Sequence, residues 1–201
     1  MKYLIFFGIL IMHSCKKTCS VGFTMLYEGE AQVRIMPDKD TIKINDSIHV
    51  EMSLPYNMLD LLTNEYVNVK GLDFGQVLTK NIFLSSVTGS VKSHGFEVWQ
   101  LVSKEGVSKE KPGSGVVSIF TQKDFYHSIK FTLIPKETGV ATFYVYPQMA
   151  TKDDNCIRIY VKPTIINPNK RHYLFYDFGN IYSPGTSWFL RSEAFVIYVK
   201  P

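Results

Sequence analysis

Cysteine is scarce. The 201 residues hold three, Cys15, Cys19 and Cys156, and no Cys-x-x-Cys pair, so neither a thioredoxin-like redox site nor a zinc knuckle is supported. Histidine is equally thin. The five present show no His-x-His or His-Glu-x-x-His spacing, nothing sets two imidazoles on one face at metal distance, and neither a metal nor a cofactor is expected. A Gly-x-Ser-x-Gly elbow, a P-loop and a Gly-x-Gly-x-x-Gly turn are all missing, which removes the forms of hydrolase, nucleotide and dinucleotide chemistry that a sequence can display. Neither charge sign dominates: 22 basic residues face 18 acidic ones for a net +4. The densest basic stretch, Ser103 to Lys111, interleaves Lys104, Lys109 and Lys111 with Glu105 and Glu110. It reads as a solvated loop, and no nucleic-acid partner is expected. No apolar run reaches the roughly 20 residues that span a bilayer, and no repeat divides the chain.

What is present is enough for a packed core. The chain is 45% hydrophobic and 14% aromatic, the composition of one globular domain rather than a tail or rod. Lys2 followed by the ten-residue apolar run Tyr3 to Met12 has the make-up of an export signal, too short for a permanent span.

The run ends Met12-His13-Ser14-Cys15-Lys16-Lys17, with a small residue before a cysteine. This resembles the lipobox of bacterial lipoproteins, in the looser form of Bacteroidota-type bacteria. The resemblance implies cleavage after residue 14, diacylglycerol on the sulfur of Cys15 and acylation of its amino group; chains of that kind hold a protein on a membrane without a spanning helix. Lys16, where an aspartate would mark inner-membrane retention, implies the outer membrane. The lack of an acidic cluster after Cys15 implies a periplasm-facing orientation. The expected organisation is a signal peptide over 1–14, a lipidated tether over 15–20, and one domain over 21–201. Cys19 and Cys156 are then an even pair in an oxidising compartment. They either form a disulfide, contributing about 5 kcal/mol at most, or remain two separate thiols.

Two-residue alternation dominates the domain. Ile48, Val50, Met52 and Leu54 alternate with Ser47, His49, Glu51 and Ser53, and the same period recurs over 31–36, 129–133, 140–146, 157–161 and 194–200. Shorter apolar runs at 66–69, 81–87, 96–102, 116–121 and 172–176 add strands, and clusters such as Pro135-Lys136-Glu137-Thr138-Gly139 supply turns. The one helical candidate is Asn57 to Glu65. The expected fold is all-β, an antiparallel β-sandwich of Ig-like or jelly-roll type with a closed barrel as alternative, and an elaborated connection over about 163–192. Asp40 to Val50 resembles the opening strands, and Ile129 to Val140 the late hairpin, of Ig-like domains in exported bacterial proteins.

Candidate sites are few. Tyr173, Phe175, Tyr176, Phe178, Tyr182, Trp188 and Phe189 place seven aromatics in a stretch where the chain's 14% predicts between two and three. They form either a binding platform, with Asp177, Asn180 and Arg191 adding polar recognition, or a plug at the open end of the sandwich. Asp40-Thr41-Ile42 and Asp46-Ser47-Ile48 resemble the O-glycosylation acceptors of Bacteroidota-type exported proteins, which would place glycans on Thr41 and Ser47; the alternative is that these side chains satisfy turn amides. Asp38-Lys39-Asp40 starts like a calcium loop but lacks its glycine and distal glutamate. No carboxylate pair can be singled out among the acids. The expected function is a lipid-anchored, non-enzymatic binding module of the cell envelope for a protein or glycan partner. The alternatives are an assembly subunit that pairs through an edge strand, and a glycan- or peptide-directed hydrolase.

Overall fold

A computed structural model describes residues 25–89, 91–93, 96–112, 115–146, 148–152, 157–166 and 195–201. In chain order the strands are β1 (Met25–Met36), β2 (Thr41–Lys43), β3 (Ile48–Pro55), β4 (Asn57–Leu59), β5 (Tyr66–Asn68), β6 (Gln76–Ser85), β7 (Val91–Ser93) and β8 (Trp99–Glu105). They continue with β9 (Val107–Lys111), β10 (Gly115–Ile119), β11 (Thr121–Gln122), β12 (Tyr126–Pro135), β13 (Gly139–Val145), β14 (Gln148–Lys152), β15 (Ile157–Ile165) and β16 (Phe195–Lys200). Among the described residues the helical content is a single 3-10 turn, Phe96–Val98.

The strands form two seven-stranded sheets packed as a sandwich, not a closed barrel. One runs β11-β12-β3-β1-β15-β14, with β8 also paired to β12; the other runs β2-β16-β13-β6-β10-β9, with β7 on β6. The alternation in β3 explains why this works. Ile48, Val50, Met52 and Leu54 are buried between the sheets, while His49, Glu51 and Ser53 point outward. Val33 and Ile35 of β1, Phe131 and Leu133 of β12, and Phe143, Phe195 and Ile197 from the facing sheet complete the same core. Full burial of each such side chain contributes about 1.5–3 kcal/mol.

The two sheets differ on their outer faces. That of the second sheet has an apolar part, with Leu84, Val140 and Val196 buried in a cluster separate from the main core, and an open part toward β9, lined by Val107, Lys109, Lys111, Val117 and Ile119. That of the first sheet is polar and open, and it carries the groove described below.

Four expectations change. The pairing is mixed rather than wholly antiparallel, because β1 runs parallel to β15 and β16 parallel to β2. Residues 57–65 form no helix but a hairpin of β4 and β5, since the Asp60 carboxylate takes the amides of Leu62 and Thr63 and holds a turn. Ser103 to Lys111 is not a loop: the chain leaves the first sheet at the end of β8, bends at Gly106 with φ of 70°, and joins the second sheet as β9. The segment Ile129 to Val140 is a corner rather than a hairpin, since β12 and β13 lie in opposite sheets.

Candidate functional site

The outward positions of β1, β3 and β12 lie in register and make three cross-strand rungs. They are Gln32–Ser53–Ser128, Arg34–Glu51–Lys130 and Met36–His49–Thr132. In the last, His49 Nδ1 and Thr132 Oγ1 are 2.9 Å apart. The first two rungs floor a groove of about 510 Å³, within the size range of small-molecule sites.

Apolar walls stand around this polar floor. Phe125, 79% exposed, and Tyr126 form one side, and Ile166 stands at the other. Both walls are fixed by backbone bonds. The carbonyl of Phe125 accepts from Tyr56 N at 3.0 Å, the Tyr56 hydroxyl donates to the Lys123 carbonyl, and Ile166 N donates to the Val33 carbonyl at 2.9 Å. Beneath the loop, the buried ring of His127 meets Tyr56 and Phe74 edge-on at 4.9 Å, and Nε2 lies 3.0 Å from the Val69 carbonyl. Burial pushes His127 below the usual histidine range, outweighing the opposing effect of the Val69 bond.

The electrostatics of the floor are nearly all internally balanced. Lys130 Nζ lies 3.7 Å from Glu51 and 3.9 Å from Glu105, and Lys123 Nζ lies 3.5 Å from Glu105. The Ser128 hydroxyl donates to Glu105 at 2.7 Å. That bond, together with the two lysines and against partial burial, holds the Glu105 carboxyl below its ordinary range. Arg34 stands apart. It is exposed on the groove floor, and its guanidinium has neither an ion pair nor a side-chain hydrogen bond among the described residues. An unpaired guanidinium between aromatic and aliphatic walls is suited to a carboxylate, which it can grip by two parallel bonds.

No family model matches the sequence, and no curated protein does. Among solved structures, the Reelin-N domain of F-spondin is similar at 14% identity and a TM-score of 0.33, covering 69% of this chain and 84% of that one. The human F-spondin reeler domain gives 12% and 0.31, covering 73% and 93%. A non-cellulosomal cohesin from the hyperthermophilic archaeon Archaeoglobus fulgidus gives 8% and 0.29, covering 74% and 97%. Likenesses this distant carry no weight for what the groove binds.

The sequence-predicted sites fall mostly elsewhere. Cys15, Cys19 and Cys156 lie outside the described residues, as do Tyr173, Tyr176, Asp177, Tyr182, Trp188 and Arg191. Thr41 on β2 and Ser47 ahead of β3 are both half-buried. In the turn between them, Asp46 accepts from the Lys43 amide at 2.8 Å. Arg34, Phe125 and Tyr126 escaped the sequence reading. Their only local signal was an aromatic pair set directly after Lys123-Asp124, where a turn leaves large rings in water.

Proposed function

We propose that the chain is a lipid-anchored protein of the cell envelope, held through Cys15 on the periplasmic side of the outer membrane, whose sandwich is a non-enzymatic interaction module. The groove over β1, β3 and β12 takes a protein or glycan partner that presents carboxylate groups. One observation carries this reading: among the described residues, Arg34 is the cation of the floor that forms no ion pair, its neighbour Glu51 lying against Lys130 instead, and it stands between walls of Phe125, Tyr126 and Ile166. The carboxylates favour binding over catalysis. Glu51 and Glu105 both lie against Lys130, and Glu105 is held in its ionised form, whereas a general acid needs the opposite shift.

The test is binding of the purified chain to immobilised acidic oligosaccharides and acidic peptides, with neutral counterparts beside them. Arg34→Met is expected to weaken the acidic partner by about tenfold or more, the scale of one charge-assisted pair. Equal binding of acidic and neutral partners, or an Arg34→Met protein that binds like wild type, would overturn the groove reading. Mass spectrometry of the mature N-terminus decides the lipid on Cys15. The assembly alternative draws on β14, which among the described residues is hydrogen-bonded on one side only; concentration-dependent oligomers in sedimentation would favour it.

A further inference from the structure

A second surface lies at another part of the first sheet. Strand β3 accompanies β1 only from Gln32 onward, and beside the earlier half of β1 the β4–β5 turn takes its place. Glu28 N donates to Asp60 Oδ1 at 2.8 Å, and Leu61 N donates to the Glu28 carbonyl at 2.7 Å. Asp60 is wholly buried, and its carboxylate also accepts from Leu62 N, Thr63 N and the Thr63 hydroxyl. The turn is thus a rigid fitting on β1.

What this fitting displays is apolar. Leu59 is 36% exposed, Leu61 47%, Leu62 57% and Tyr66 68%. Leu26, 53% exposed, stands two residues before Glu28, about 7 Å along the strand. Its register partner on β15 is the exposed Arg158. A turn that spends a buried, fully bonded carboxylate to hold leucines in water is unusual for a free surface, because isolated apolar side chains are common but grouped ones mark contact sites. Leucine, tyrosine and arginine together are the residue types that settle at a membrane–water interface.

The chain outside the described residues indicates the occupant. Residues 1–24 join the fold at Met25, next to Leu26. Cys15 lies ten residues before Met25, which limits its reach to about 35 Å when fully extended. We propose that Leu26, Leu61, Leu62 and Tyr66 dip into the interface of the same bilayer that holds the N-terminus, fixing the orientation of the sandwich on the membrane. This rests on the membrane anchoring proposed above. Glu28 and Glu65 offset Arg158, so the attraction is apolar and does not require anionic lipid. The rigid turn needs no ordering on contact, which lowers the entropic cost of insertion.

The experiment uses the mature chain extracted from membranes and reconstituted into phosphatidylcholine vesicles, with and without brominated acyl chains. Flotation reports the anchor, and tryptophan fluorescence of Leu62→Trp reports the tip. The expected result is flotation together with quenching of the Leu62→Trp protein about twofold beyond that of the wild type, whose own tryptophans set the baseline. Tyr66→Trp serves as an independent reporter, since both positions are exposed and tolerate a larger ring. Flotation without added quenching at either position would overturn the tip and leave the anchor standing. Failure to float would overturn the anchor, and the tip proposal with it.

Discussion

Trp99 Nε1 donates a hydrogen bond of 3.1 Å to Asn81 Oδ1, and both side chains are wholly buried. Asn81 Nδ2 in turn donates to the Thr142 carbonyl at 3.2 Å, so one amide on β6 serves both β8 and β13. The indole meets Phe83 and Phe143 edge-on, with centroids 6.2 and 5.5 Å away. Polar and apolar packing therefore converge on one ring at the centre of the sandwich.

Asn81→Ala should cost about 1–3 kcal/mol by stranding the indole N–H in the core. Trp99→Phe combined with Asn81→Leu should lose less than the two single changes added together, because no buried donor is then left unpaired. Urea unfolding of wild type, Asn81→Ala, the two single variants and the double variant checks this; strict additivity would show that the bond is incidental.

His127 should make stability fall on mild acidification. Its folded pKa is depressed, so above the unfolded value of about 6.5 both states are neutral and its burial is free of penalty. As the pH drops below that value the unfolded state takes up the proton first, and stability declines until the folded pKa is passed. The slope is about 1.4 kcal/mol per pH unit at most for one proton. Melting temperatures of wild type and His127→Gln between pH 7 and pH 5 test it, at about neutral to mildly acidic values; the variant's profile should be flatter.

Asp60 has the opposite sign. Burial alone would raise its pKa, but the bonds from Thr63, Glu28 and Leu62 outweigh that and hold it below the usual carboxylate range. Its contribution is therefore complete above an unfolded pKa of about 4 and is lost as the pH falls through the folded value. Protection of the Glu28, Leu62 and Thr63 amides from hydrogen exchange, relative to the intrinsic rate at each pH, should fall in that acid window and should be lower at all pH values in Asp60→Ala. Unchanged exchange in the variant would contradict the bracing role of the carboxylate.

Gly106→Ala should destabilise the fold by about 1–3 kcal/mol. The residue has a φ of 70°, and an added Cβ would stand 2.2 Å from the Ile119 carbonyl oxygen, a backbone atom with no freedom to retreat. Thermal unfolding of the variant, with Gly71→Ala as a control for positive φ in open space, separates the clash from the backbone preference.

Much of the sheet structure was legible because alternation is local. Ile48 to Leu54 announces which face is buried, and β3 buries it. The helix expected over 57–65 failed for a physical reason: Asp60 and Thr63 prefer bonding to nearby amides, and Asn64 adopts a φ of 61°, so the leucines sit on a turn. The parallel pairing of β1 with β15 joins residues more than a hundred positions apart, and no turn residue encodes that. The groove was hidden for a related reason. Gln32, Glu51 and Lys130 look like ordinary solvent-facing positions of three separate strands, and only their registry brings them together.

The parallel ladder between β1 and β15 also has a mechanical consequence. Strand β1 lies inside its sheet, flanked by β15 along Met25–Val33 and by β3 further on. A pull on the chain ahead of Met25, directed along the strand, meets this ladder in shear. Its rungs then share the load at once instead of tearing in succession, so the domain is braced against a pull applied through its leading end.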